Sequence, residues 1–228
     1  MSKERLYLFD TTLRDGAQTS GVDFSLEDKV TIARMLDALG VDYVEGGYPG
    51  SNPKDVEFFQ RAKSITFKHA KLTAFGMTRK AGGNAETDPI LRAMIAAETP
   101  AVAVVGKTWT LHVTEIIGTT LEENLAMIGD SVAFLKKHGR EVIYDCEHFF
   151  DGFRADRAYA LATVKAAADA GADWITFCDT NGGSLPGFIA EAVGVVRATV
   201  PTRLGIHTHN DSDVAVANAF AGIEAGCS

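Results

Sequence analysis

Cysteine is scarce in this chain of 228 residues: there are three, Cys146, Cys178 and Cys227, and no two form a C-x-x-C pair. An odd number of widely spaced cysteines argues against a disulfide framework and against a thiolate zinc site. Free cysteine is commonly a core residue, so we expect Cys146 and Cys178 to be small buried fillers rather than nucleophiles. Unpaired cysteines also fit a reducing, cytoplasmic location.

Long apolar runs and clusters of basic residues are missing as well. No apolar run approaches the ~20 residues of a membrane helix, and the first ten residues lack the apolar region of a secretory signal. The net charge is −8, and no cluster of Lys and Arg offers nucleic acid a basic face, so we expect neither a nucleic-acid nor a membrane partner. With 46% hydrophobic and 23% charged residues, the composition is that of a globular protein with one large core.

Short apolar runs typical of buried strands alternate with amphipathic segments typical of helices. The predicted strands are 6–9, 41–45, 71–75, 101–105, 141–145, 174–178 and a seventh that begins at 204–206. Helix starts are marked by Ser25 with Asp28, by Asn52-Pro53 and by Asp88-Pro89, and the last helix is expected to be capped by Asp211 or Ser212. This alternation predicts βαβ units and a parallel sheet.

Polar or glycine-rich residues follow every predicted strand, which favours an α/β fold of the TIM (β/α)8-barrel type with about seven of eight strands present. The pairs and triplets concerned are Arg14-Asp15, Glu45-Gly46, Thr78-Arg79, Lys107-Thr108, Glu147-His148, Asp179-Thr180 and His207-Thr208-His209. A doubly wound sheet is the alternative. It would gather its functional residues at one switch point, and no G-x-G-x-x-G follows the first strand here.

Two stretches carry matching chemistry. The first strand ends in FDTTLRDGAQ (9–18), which brings carboxylates, hydroxyls and the guanidinium of Arg14 to one strand end. In GIHTHND (205–211), His207 and His209 are two apart, so their side chains leave the same face of a strand. Two imidazoles with the carboxylate of Asp15 are a plausible set for Mn²⁺, Zn²⁺, Co²⁺ or Mg²⁺. The alternative for Arg14 and Asp15 is an ordinary surface ion pair.

DTTLRDG (10–16) together with HTHND (207–211) resembles a family of metal-dependent acyltransferases and lyases that condense or cleave acyl-CoA with keto acids. The isopropylmalate, homocitrate and citramalate synthases belong to it. The runs 36–55, 141–152 and 178–183 are most similar to the citramalate synthases, and the resemblance covers the whole chain. It implies a barrel, a divalent metal, acetyl-CoA and pyruvate as substrates, a place in isoleucine synthesis and a homodimer in the full-length form.

The resemblance also implies roles for single residues. Asp15, His207 and His209 would hold the metal, Arg14 would stabilise an oxyanion, and Thr180 would contact the keto-acid carboxylate. Glu147 is either an acid/base group or an ordinary exposed carboxylate. The remaining expectations are that Gln18 and Glu45 also bind substrate and that His112 and His148 are structural or loop residues. Asp211 is expected to orient a histidine or to cap the last helix. Arg79, Lys80 and Lys107 either meet the phosphates of CoA or are solvated.

The family's eighth strand and its C-terminal helical and regulatory regions have no counterpart before Ser228. The sequence is therefore expected to be a catalytic barrel domain, 1–228, cut short before the last strand. Three alternatives stay open. They are a 2-isopropylmalate or homocitrate synthase with a larger keto acid, a lyase or aldolase on the same metal site, and a barrel that binds metal without turnover.

Overall fold

The computed structural model describes residues 5–228, which contain one sheet of seven parallel strands. The strands are β1 (Phe9–Asp10), β2 (Tyr43–Gly47), β3 (Lys71–Met77), β4 (Ala101–Lys107), β5 (Glu141–Glu147), β6 (Trp174–Asp179) and β7 (Arg203–Thr208). The helices are α1 (Leu26–Leu39), α2 (Pro53–Ala62), α3 (Pro89–Ala96), α4 (Leu121–Lys137), α5 (Phe149–Ala155), α6 (Arg157–Asp169), α7 (Pro186–Arg197) and α8 (Ala215–Ala225). A 3₁₀ turn covers Gly16–Gln18, and a π-helical turn covers His112–Ile117.

The strands lie in the order in which the chain produces them, each paired in parallel with the next, from β1 to β7. A doubly wound sheet reverses its strand order at a switch point, and this sheet does not. The prediction of a TIM-type barrel with seven of eight strands is therefore confirmed. β1 and β7 are its two edges.

Local sequence signals explain most helix starts. The Ser25 side chain accepts from the backbone N–H of Asp28, whose carboxylate in turn accepts from the N–H of Ser25. Asn52 and Asp88 cap α2 and α3, and a proline follows each cap. Gly40 ends α1 in the left-handed conformation, with φ 91°. The three helix starts are the predicted ones, and they are confirmed.

Two boundaries differ from the prediction. β1 covers two residues only, since its ladder with β2 pairs Phe9 with Tyr43 and Asp10 with Val44, while Leu6 and Leu8 are exposed. The last helix begins after Val214, so the expected cap at Asp211 or Ser212 is wrong. The Asn210 side chain accepts from the backbone N–H of Ala215 instead, across a turn in which Asp213 has φ 57°.

Apolar side chains fill the amino-terminal end and the middle of the barrel. This interior cluster consists of Tyr43, Ala101, Ala103, Ile143 and Trp174, with Tyr7, Phe9 and Phe75 packed against it. Glu141 accepts from the Tyr43 hydroxyl at 2.7 Å and from Trp174 Nε1 at 3.3 Å, and it also pairs with Lys71. Large side chains and hydrogen-bonded polar groups thus close the amino-terminal end of the barrel. The polar strand ends lie at the opposite end, where barrels carry their sites.

Between residues 5 and 228, none of the helices combines the length and the apolar character needed to cross a bilayer.

Candidate active site

A carboxylate and two imidazoles meet at the carboxyl ends of β1 and β7. Asp15 follows a tight turn in which the N–H groups of Arg14 and Gly16 both donate to the Thr11 carbonyl at 3.1 Å. Its Oδ2 lies 3.4 Å from Nε2 of His207 and 3.7 Å from Nε2 of His209. The two imidazole rings are stacked, with centroids 5.0 Å apart. The residues predicted as metal ligands therefore lie together, and their ligating role stays a prediction.

The electrostatics of this cluster suit a cation. The hydrogen bond from His207, with a further contribution from the Arg14 charge, lowers the pKa of Asp15 to about 2 in spite of partial burial. Burial alone would lower the pKa of His207, but the Asp15 hydrogen bond and the neighbouring carboxylates raise it above the usual value. One donor atom from each of the three residues lies within 4.8 Å of the others. A carboxylate with two imidazoles and open positions is a set that divalent transition metals accept.

The Arg14 guanidinium is held on three sides beside this cluster. Its Nε donates to Glu45 Oε2 at 2.7 Å and its Nη1 donates to Asp15 Oδ1 at 3.0 Å. Its plane lies over the ring of Phe75, with Cζ 4.1 Å from the ring centroid. Within residues 5–228, Nη2 has no protein acceptor. The side chain is thereby fixed as a positive group with one free edge.

Two buried carboxyl groups lie under this arginine. Burial raises the pKa of Glu45 to about 7 and that of Asp145 to about 6, although Arg14 and His207 favour their charged forms. Oε1 of Glu45 has no hydrogen-bond partner within the described residues. Glu45 is predicted to bind substrate. In the structure it accepts a hydrogen bond from Arg14 and so helps to hold the guanidinium in place. Sequence reasoning missed Asp145, which a carboxylate inside the apolar strand VIYDC (142–146) could have signalled.

Glu147 lies at the end of β5 and forms an ion pair with Lys107 from the end of β4. It shares the face of Ile143 and Asp145, because alternate residues of a strand point the same way. Ile143 and Asp145 line the barrel interior. The side chain of Glu147 is 26% exposed. It is therefore a partly buried, paired carboxylate and not an ordinary exposed one.

Thr180 follows β6, and its Oγ1 accepts the backbone N–H of His148 at 2.9 Å. The neighbouring ring of His112 lies 4.5 Å from the ring of His148, centroid to centroid. Gln18 lines a different cavity, of about 260 Å³, which it shares with Arg14 and Tyr48. The structure does not bring Gln18 to the histidines of the cluster.

The three cations considered as partners for the phosphates of CoA have different environments. Arg79 is buried and pairs with Glu123 and Asp130, each at 2.7 Å. Lys107 is engaged with Glu147, and of these three cations Lys80 alone is exposed. Arg79 is thus fully occupied by carboxylates, so the expectation that it meets a phosphate or is solvated does not hold.

A cavity of about 320 Å³ runs from the cluster into the barrel between β1 and β7. Polar groups of Arg14, Asp145, Thr176 and His207 line this cavity together with several aromatic side chains. This volume is at the lower end of the range of small-molecule sites. The fold and the cluster together define an α/β-barrel protein with a candidate active site at the carboxyl ends of its strands.

Comparison with known proteins gives the family. The family described as HMGL-like matches residues 5–228, and the chain belongs to that family. The chain is 53% identical over 224 residues to an (R)-citramalate synthase of Aquifex aeolicus, an alignment covering 98% of this chain and 42% of that protein. It is 32% identical over 227 residues to a 2-isopropylmalate synthase of Sulfolobus acidocaldarius, covering 99% of this chain and 56% of that protein.

Among solved structures, a hydroxymethylglutaryl-CoA lyase from Pseudomonas aeruginosa superposes with a TM-score of 0.78 at 21% identity, covering 97% of this chain and 74% of that one. At that identity the likeness supports the fold alone. The chain spans about two fifths of the length of the citramalate synthases it matches.

Proposed function

We propose that this chain is the catalytic barrel of an (R)-citramalate synthase, an acyltransferase that joins acetyl-CoA, pyruvate and water into citramalate and CoA. The observation that carries the proposal is the Asp15, His207 and His209 cluster beside the fixed guanidinium of Arg14. The relatives support the choice within the family, since identity is 53% to a citramalate synthase and 32% to a 2-isopropylmalate synthase. The domain proposed to carry the chemistry is 1–228.

The metal would be held by Asp15, His207 and His209. The fit is supported by the donor set itself, with two imidazole nitrogens within 3.7 Å of the same carboxylate oxygen. A bound divalent metal supplies a Lewis acid for the carbonyl of a 2-keto acid. Mn²⁺, Zn²⁺, Co²⁺ and Mg²⁺ are all compatible with these ligands.

The protein groups around the cluster have complementary tasks. Arg14 directs its free edge at the keto oxygen and stabilises the alkoxide that forms when this carbonyl is attacked. Because Glu45, Asp15 and Phe75 already fix the guanidinium, no rotamer freedom is lost during the reaction. Thr180 donates its hydroxyl to the keto-acid carboxylate. Glu45 and Gln18 remain candidates for substrate binding, Glu45 through Arg14.

The carbon nucleophile arises from the methyl group of acetyl-CoA. A base removes one methyl proton, and the resulting carbanion forms a bond to the keto carbon of pyruvate. The oxyanion is then protonated, and water cleaves the thioester to release CoA. Glu147 is the proposed acid/base group within this chain, because it ends β5 on the strand face shared with Asp145 and its carboxylate is held by an ion pair with Lys107.

Location, assembly and pathway follow as parts of the same proposal. All three cysteines are buried free thiols, which supports a reducing, cytoplasmic compartment. The homodimer of the full-length form and the role in isoleucine synthesis rest on the resemblance to the citramalate synthases.

The experiment is a free-thiol assay of CoA release from acetyl-CoA, with pyruvate, 2-ketoisovalerate and 2-ketoglutarate in parallel. We expect release with pyruvate at least tenfold above the other two, since one or more methylenes in a fitted pocket are worth ~1–3 kcal/mol each. Preference for 2-ketoisovalerate or 2-ketoglutarate would reassign the chain to an isopropylmalate or homocitrate synthase. Release of acetyl-CoA from synthetic citramalyl-CoA without any condensation would indicate a lyase. Metal binding without turnover of any substrate would leave only the binding function.

A further inference from the structure

A strained turn joins β5 to α5 next to the candidate site. His148 follows Glu147 and has φ 53°, in the left-handed region that non-glycine residues rarely adopt. Such a conformation costs energy and persists only where surrounding contacts impose it, which is often at functional sites. The contacts of His148 therefore indicate which function its left-handed conformation serves.

The conformation of this turn places a backbone N–H group within hydrogen-bond distance of Thr180. The N–H of His148 donates to Thr180 Oγ1 at 2.9 Å. A threonine hydroxyl has two acceptor lone pairs and a single proton. Because Oγ1 accepts here, its own proton is free, and within residues 5–228 it donates to no protein acceptor.

Thr180 lies at the carboxyl end of β6, as the first residue of the turn that follows this strand. Trp174 and Thr176 line the cavity that contains His207, and alternate residues of one strand share a face. Thr180 therefore follows directly on a strand whose residues line this cavity. The N–H of His209 donates to the carbonyl of Asp179 at 3.3 Å, so Thr180 also lies beside the strand end that carries both histidines.

Side-chain contacts hold the turn in place. Nδ1 of His148 lies 3.1 Å from Asp151 Oδ2, and Nδ2 of Asn181 donates to the same oxygen at 2.9 Å. Asn181 is the neighbour of Thr180 in the chain. The ring of His112 packs edge-on against that of His148. One carboxylate thus ties the turn after β5 to the turn after β6.

We propose that His148 is a positioning residue, whose left-handed backbone directs its N–H at Thr180 and so leaves the Thr180 hydroxyl proton to donate to the carboxylate of the keto acid. The Asp151 carboxylate, shared by His148 and Asn181, keeps the two turns in register. This inference rests on the proposed function, because it assigns the Thr180 hydroxyl to the keto acid of that reaction. It also gives His148 a task beyond the structural one expected from the sequence.

The test is a double-mutant cycle in the metal-loaded enzyme, with separate KM values for pyruvate and acetyl-CoA. Thr180→Val removes the hydroxyl, and His148→Val places a β-branched residue where the left-handed backbone disfavours it. Each is expected to raise the KM for pyruvate about tenfold, the effect of one hydrogen bond to a carboxylate, and to leave the KM for acetyl-CoA unchanged. The double variant is expected to be no worse than Thr180→Val alone.

Two further variants keep the test independent of folding. His148→Asn tolerates the left-handed backbone and retains a donor for Asp151, so its KM for pyruvate is expected to stay within about twofold of the wild-type value. Asp151→Ala loosens the turn without changing His148 and is expected to raise the KM for pyruvate about threefold to tenfold. Thermal melts of all variants check that each one is folded.

The outcomes separate this inference from the proposed function. Additive effects in the double variant, an equal rise in both KM values, or a normal KM for pyruvate in both His148→Val and Asp151→Ala would overturn the positioning role while leaving the synthase intact. Wild-type enzyme that releases no CoA with pyruvate would overturn the proposed function and this inference with it.

Discussion

The carboxylate of Asp15, in the turn after β1, lies 3.4 Å from Nε2 of His207 on β7, although β1 and β7 are the two edges of the sheet. No hydrogen bond of the sheet joins these two strands. The cluster therefore exists only when the first and last strands of the described barrel are both in place. A metal bound between them would link the two edges and add its binding free energy to the stability of the fold.

Replacing any of the three clustered residues should remove the metal. Alanine at Asp15, His207 or His209 deletes one donor from a set of three, and we expect metal content to fall at least tenfold at micromolar Mn²⁺. The measurement is metal content after equilibrium dialysis. His69→Ala, an exposed imidazole elsewhere in the chain, is the matched control and should retain the metal. Equal metal content in His207→Ala and His69→Ala would refute the assignment.

Metal affinity should depend on pH through His207. Its pKa is raised by the hydrogen bond to Asp15, and the imidazole must lose its proton before it can bind a metal. As pH falls below this raised pKa, a proton competes with the metal, so affinity should fall about tenfold per pH unit. Above the pKa, affinity should level off. Mn²⁺ titrations between pH 5 and 8 test this, and an affinity that does not change over that range would argue against His207 as a ligand.

Arg14 should matter for turnover more than for metal binding. Removal of a fixed donor to a developing oxyanion costs about 10²–10³ in rate. Arg14→Gln is thus expected to lower kcat by that factor while metal content stays normal. Arg34→Ala, an exposed arginine on α1, is the control and should behave like the wild type. Normal turnover of Arg14→Gln would remove the electrophilic role.

A buried ion pair under the loop after β2 should be important for stability. Lys29 pairs with Asp55, both are less than 10% exposed, and the Asp55 carboxylate also accepts the N–H of Tyr48 at 2.7 Å. Asp55→Ala leaves a buried ammonium without a partner, which costs ~3–5 kcal/mol of unfolding free energy.

Urea denaturation measures this cost, and an exposed pair gives the comparison. Lys165 and Asp169 form an i,i+4 pair whose side chains are more than 60% exposed. Asp169→Ala is expected to change stability by less than ~0.5 kcal/mol. Equal losses in the two aspartate variants would contradict the importance of burial.

Several helix starts were predictable because they depend on local patterns. Ser25 with Asp28, and the prolines after Asn52 and Asp88, mark helix starts through chemistry within one turn of the chain. The meeting of Asp15 with the two histidines was predictable for another reason. In a parallel barrel the carboxyl ends of all strands lie at the same end of the barrel. Residues that are distant in sequence are therefore expected near one another once the fold is assigned.

Contacts between side chains of distant elements could not be predicted in this way. From its position after β3, Arg79 is expected to be a cation available near the site. In the structure it is instead paired with Glu123 and Asp130, which lie on α4. The last helix starts late because Asn210 accepts from the N–H of Ala215 across a turn, which no capping pattern signals. The left-handed backbone of His148 depends on partners from two other segments, and its own sequence gives no sign of it.

The most direct test follows carbon–carbon bond formation. Acetyl-CoA labelled with ¹³C in its methyl group is incubated with pyruvate and the protein, with Mn²⁺ or with a chelator, and the products are observed by NMR. The account predicts that the label moves into the methylene group of citramalate only when the metal is present, and that His207→Ala abolishes the transfer. Label that stays in the acetyl group under all conditions, or transfer that survives the chelator and the His207 variant, would contradict it.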